Sequence, residues 1–173
     1  MIRNTWLVRA ALLGALLAPS AVVLSQDDDA KAQAALAKAL AVKHIDLAAG
    51  IAAATSKGKP ISAQYEYENN KLQLSVFTEK ADEFSEEFVD FTTGKIAKVD
   101  KITDGADLAD ARAQSAAMAK AKSTLTAVLT KVLAANAGYS AVSATASHAK
   151  GKAVVVIVLM KGTAFKTVSE PLT

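Results

Sequence analysis

Hydrophobic positions along this chain change period several times, and the changes recur in the same order. Leu36 and Leu40 sit at helical spacing inside an Ala/Lys-rich stretch from Ala30 to Lys43, and Leu47 and Ile51 mark a second short helix, Leu47 to Ser56. Asp46 is placed to cap that helix, and Gly58 and Pro60 to end it. The period then drops to two. Ile61, Ala63, Tyr65 and Tyr67 alternate with polar residues, Asn69-Asn70 supplies a two-residue hairpin turn, and Leu72, Leu74 and Val76 line one face of a return strand, Lys71 to Glu79. A polar segment, Lys80 to Glu83, leads to a strand from Glu86 to Phe91. The turn Thr92-Thr93-Gly94 then precedes a fourth strand, Lys95 to Ile102.

The second half opens on an Ala-rich helix, Asp107 to Lys120, whose apolar face is mostly alanine with Leu108 and Met118, the pattern of a surface or bridging helix. Leu125, Val128, Leu129, Val132 and Leu133 form a stronger stripe. Strands are expected at Tyr139 to Ser147 and Lys152 to Met160, joined through a turn at His148 to Gly151; the run Val154 to Leu159 is apolar on both faces, as in a doubly covered strand. The halves align. Leu47 and Ile51 fall on Leu125 and Leu129, Ile61 on Tyr139, and after a turn insertion Leu72, Leu74 and Val76 fall on Ala153, Val155 and Ile157. Helix followed by antiparallel strands, twice, predicts an α+β chain of two modules, residues 26–103 and 104–173.

Residues 1–25 read differently. Arg3 and Arg9 precede a nearly uncharged stretch from Ala10 to Leu24, then Ser25 and the acidic run Asp27 to Asp29, the layout of a secretory signal peptide cut after Ser25. The apolar run is too short for a spanning helix. Export to the periplasm or outside the cell is therefore expected, with no stable membrane anchor after cleavage. Without that leader the charge is nearly balanced, which removes the argument for nucleic acid as a partner. Its distribution is not balanced. Gln64 to Asp110 carries 12 acidic and 5 basic residues, whereas Ala111 to Thr173 carries 1 acidic and 8 basic, so complementary faces of the two halves can dock. The absence of cysteine excludes disulfides, a thiol nucleophile and a lipid-modified cysteine.

Chemistry-bearing residues are few. His44 and His148 lie in non-equivalent places without a second ligand at helical spacing, and no serine sits in a nucleophile motif, so neither a metal nor a catalytic residue is expected. No cofactor is expected either, and the chain reads as not an enzyme. The densest carboxylate cluster is Glu79, Asp82, Glu83, Glu86 and Glu87. It lacks the spacing of a calcium loop and reads as a solvated edge that discourages unwanted strand pairing. With Tyr65 and Tyr67, these acidic residues form the candidate partner-binding set.

The segment Phe88-Val89-Asp90-Phe91-Thr92-Thr93-Gly94-Lys95-Ile96, after a helix opening at Ile45-Asp46-Leu47 and a hairpin, resembles the PepSY domain family. Asp90, Thr93, Gly94 and Ile96 reproduce its closing stretch, and the likeness covers roughly Val42 to Ile102. The second half keeps the helix and hairpin but has Ala164 to Pro171 where that stretch would fall, so it resembles a divergent copy. The resemblance implies a bacterial extracytoplasmic module, a short helix packed on an antiparallel sheet, that binds a protein or peptide partner and modulates peptidases. Asp90, Thr93 and Gly94 are expected to make the turn. A sheet edge at Lys71 to Glu79 could accept an extended peptide. The other function open at this point is binding of a small ligand or divalent cation by the acidic first half.

Overall fold

The computed structural model describes residues 26–172; the expected leader lies outside the described residues. Among these the chain is α+β, with four helices and one antiparallel sheet of seven strands. Helices α1 (Gln26–Ala39) and α2 (Leu47–Ala54) precede β1 (Lys59–Glu68), β2 (Lys71–Lys80), β3 (Glu83–Val89) and β4 (Ile96–Ile102). Helices α3 (Gly105–Ala119) and α4 (Leu125–Ala134) precede β5 (Ser140–Ala149), β6 (Lys152–Lys161) and β7 (Ala164–Pro171).

Local chemistry explains most boundaries. Asp46 accepts the amide of Ala49 at 2.7 Å and Thr124 that of Ala127 at 3.1 Å, each satisfying a donor in the first turn of its helix. Asn69 and Asn70 hold φ of 51° and 60°, the left-handed pair that a two-residue hairpin between right-twisted strands requires. Lys150 and Gly151 do the same between β5 and β6, so His148 belongs to β5 and not to the turn. The polar segment after β2 is a third such turn, with Ala81 at 53° and Asp82 at 62°. Pairing consequently resumes at Glu83, and β3 both starts and ends earlier than Glu86 to Phe91.

The strand order is β4-β3-β2-β1-β5-β6-β7, so the first strands of the two halves meet at the centre of one continuous sheet. Ala63 pairs with Ala144 at this seam, and the Ser62 hydroxyl lies 3.0 Å from that of Thr145. Both first strands carry a bulge, at Ile61 and at Val142. The helix caps Asp46 and Thr124 are 78 residues apart, whereas the bulges and the Ala63–Ala144 pair are each 81 apart. Three additional residues therefore enter between the α4 cap and the β5 bulge, two of them in α4, which has 10 residues against 8 in α2. Ile61 corresponds to Val142, not Tyr139, and the two hairpin turns are equal in length.

Side-chain parity assigns the layers. Ala63, Tyr65, Leu74, Val76 and Val89 share one face with Ala144, Val155 and Ile157. Helix α2 lies on this face: the Tyr65 hydroxyl donates to the Ile45 carbonyl at its entrance, and a Cβ on Gly50 would stand 2.6 Å from a Leu74 methyl carbon. Helix α4 touches α2 and lays Leu125, Val128, Leu129 and Val132 over β5, β6 and β7. Burying each such side chain contributes on the order of 1.5–3 kcal/mol.

Helices α1 and α3 take the opposite face. Lys59, which points there, donates to the Met118 carbonyl at the end of α3, and α3 packs chiefly on β5 and β1, with Ala111, Gln114, Ala117 and Met118 buried. That helix is part of the core rather than a surface bridge. Small side chains on both partners, alanines above and Ser62, Ser143 and Thr145 below, permit the close approach. The linkers wrap opposite ends of the sheet in matching fashion: the Ile45 amide donates to the Phe91 carbonyl, and the Lys122 amide to that of Leu172.

Candidate functional site

The structure places the candidate residues in three separate environments. Tyr65 is buried under α2, where desolvation and then the negative charge of Asp46 push its phenol well above the ordinary tyrosine range. Tyr67 is 37% exposed near the end of the same strand. Glu79 and Glu86 point to the opposite face, Glu86 buried and Glu79 partly so. Asp82 is in the left-handed hairpin turn and its amide donates to the Glu79 carboxylate, while the exposed Glu83 faces Lys101 at 3.3 Å.

Glu87 is fully buried on the α2 face, paired across the ladder with Val76 on one side and Val99 on the other. Its Oε1 accepts the Ser85 hydroxyl at 2.6 Å and the Thr78 hydroxyl at 3.1 Å, and its Oε2 is buried without a hydrogen bond. Desolvation is the main cause that raises its pKa, against the lowering effect of the two hydroxyls. The acidic run is therefore not one solvated edge. Strict strand alternation sends Glu86 and Glu87 to opposite faces, and β2 and β3 are interior strands, so a carboxylate there meets protein on both sides.

The closing turn of the first half is built as its residues require. Asp90 Oδ1 accepts the amides of Thr92 and Thr93 and the Thr92 hydroxyl, at 2.9, 2.8 and 2.7 Å, and Gly94 adopts φ of +73°. The Thr92 hydroxyl first, then these amides, lower the Asp90 pKa to about 2, so the turn keeps its charge-assisted bonds at any ordinary pH and loses them only as pH falls through that value. Asp90, Thr93 and Gly94 are turn-makers. His44 donates from Nδ1 to the Val42 carbonyl and meets Tyr65 edge-on at 5.4 Å, and His148 is exposed. Among the described residues no group of three or more His, Cys, Asp or Glu side chains could hold a metal ion.

The β2 segment Lys71 to Glu79 cannot accept a peptide by strand addition, because β1 and β3 occupy both of its edges. Among the described residues the free edges are β4 and β7. Hydrogen-bonded pairs alternate along an antiparallel ladder, and the Leu172 amide donates inward to Ala153, so the amides of Phe165, Thr167 and Ser169 face outward. Pro171 falls in an outward position, where its missing N–H costs no ladder bond. Beside β7, Lys166 lies 3.9 Å above the Tyr139 ring and donates to Asn136, and Lys161 lies 5.8 Å from the same ring. This basic aromatic corner joins residues about thirty positions apart, and no local spacing announced it.

No family model and no curated protein matches the chain. Among solved structures, a crystal structure described as a "putative lipoprotein" from Clostridium difficile 630 is similar at a TM-score of 0.34 and 11% identity, covering 67% of this chain and 85% of that one. A likeness at that score carries no argument about fold or function. Among the described residues no helix is long and apolar enough to cross a membrane.

Proposed function

We propose that this is an exported, non-catalytic binding or regulatory protein of the cell envelope, built as two PepSY-like modules fused through the β1–β5 seam. Its partner is an extended protein segment, with peptidases the class that the PepSY resemblance implies. The observation that carries the reading is the free β7 edge. Three outward amides on consecutive alternate residues stand beside the Lys161–Lys166–Tyr139 corner, in the half of the chain that carries the basic excess. Such an edge binds backbone by strand addition, and its charge favours a segment bearing carboxylates.

The test is capture of partners from periplasmic extract by the wild-type chain and by Thr167→Pro. That substitution deletes an outward N–H while leaving the β6–β7 ladder its own donors. The wild type is expected to retain a partner and slow a co-purifying peptidase, and the variant to lose both with its circular dichroism unchanged. Equal capture by the two proteins, or none and no inhibition by either, would refute the proposal.

A further inference from the structure

The second free edge, β4, reads Ile96-Ala97-Lys98-Val99-Asp100-Lys101-Ile102, and its chemistry is symmetric about Val99. Laid antiparallel to an identical strand with Val99 opposite Val99, it sets each Lys98 against the other copy's Asp100. Both charges find a partner twice. In the single chain Lys98 is bonded to its own Asp100, both well exposed, so the pair can exchange partners across the axis without desolvating a new charge.

Backbone direction fits the same arrangement. Counting the alternation from the closing pair Lys80–Glu83 through Thr78–Ser85 and Val76–Glu87, β3 turns Phe84, Glu86 and Phe88 toward β4. Lys98, Asp100 and Ile102 then spend their backbone groups on β3, leaving the N–H and C=O of Val99 and Lys101 pointing outward. Val99 is also 42% exposed, an apolar side chain standing at the centre of an edge strand. Lysines on an edge ordinarily repel a generic incoming strand. Here the sequence that neutralises Lys98 is the same strand reversed, while Lys101 keeps its own chain's Glu83 at 3.3 Å. The bulge opposite Val89 closes the regular stretch at Ala97, which confines the contact to a short segment centred on Val99.

We infer that two copies of this chain associate through β4, continuing the sheet across a two-fold axis at Val99. The contact is isologous and therefore closes at two copies. It does not rest on the β7 reading, since a different edge carries it, and either can fail alone.

Sedimentation of the full chain over a wide concentration range tests it. A monomer–dimer equilibrium is expected, with slower hydrogen exchange at the Val99 and Lys101 amides as concentration rises. Asp100→Lys, which faces lysine with lysine twice, should weaken dimerisation about tenfold or more. Lys98→Asp combined with Asp100→Lys should restore it. Circular dichroism and the melting temperature of each monomer control for folding. A wild type that stays monomeric, a dimer indifferent to Asp100→Lys, a double variant that fails to recover, or open-ended assembly that indicates β4 meeting β7 would each overturn the inference.

Discussion

Glu87 shows how one position in a strand changes the meaning of a charge. Its neighbours in sequence, Glu83 and Glu86, are exposed or on the other face, but Glu87 faces Val76 and Val99 with one oxygen unbonded. Because the folded pKa is raised, the unfolded chain loses its proton first. Stability is therefore full below the ordinary glutamate value near 4.5 and falls as pH rises from there toward the folded pKa, with a limiting slope of about 1.4 kcal/mol per pH unit. Glu87→Gln cannot ionise, so its stability relative to wild type should increase as pH rises above about 4.5 and level off above the raised folded pKa. Urea titrations at several pH values read this directly, and parallel curves for the two proteins would remove the buried-acid argument. The five acidic residues are visible in the sequence as a cluster along the chain. The sequence could not rank them by burial, because alternation separates faces without saying which face is covered.

At the scale of elements, the junction between α2 and β1 is fixed by a close approach rather than by a flexible turn. A Cβ on Gly58 would lie 2.7 Å from the Glu79 carbonyl oxygen and 2.9 Å from the Thr78 hydroxyl, and backbone cannot move aside as a side-chain tip can. Gly58→Ala should lower stability by about 1–3 kcal/mol, visible as a reduced melting temperature. A neutral Gly58→Ala would place that contact wrongly. Helix and strand types were legible from period and capping residues, and Asp46, Asn69 and Asn70 act as their chemistry requires. β7 was not legible. Ala164 to Pro171 mixes lysine, serine, threonine and proline with only Phe165 and Val168 to mark it, since an edge strand covered on part of one face needs little apolar alternation.

For the whole molecule the seam is decisive. Ile61, Ala63, Val142 and Ala144 are buried at the centre of a sheet that belongs to both halves, and α2 rests on α4 across it. Cutting there would expose the apolar faces of β1 and β5 and leave each an unprotected edge. The chain should accordingly unfold in one cooperative step. Far-ultraviolet circular dichroism and tyrosine fluorescence are expected to give coincident urea transitions, and residues 26–103 alone should lack a cooperative transition. Two resolved transitions, or a stable isolated first half, would show that the seam contributes little.

What the sequence determined by itself were the local decisions: which segments are helix or strand, where the hairpins turn, how the Asp90–Gly94 turn is held, and that the two halves follow one order of elements. These depend on neighbours within a few residues, where period, capping and φ preference act. The tertiary structure alone decided which strand meets which and what lies on each face. It placed β1 against β5, moved the extra residues from the hairpin to α4 and the connection that follows it, enclosed β2 and left β4 and β7 at the edges. Pairing between strands far apart in the chain depends on surfaces that exist only once the helices have covered both faces of the sheet.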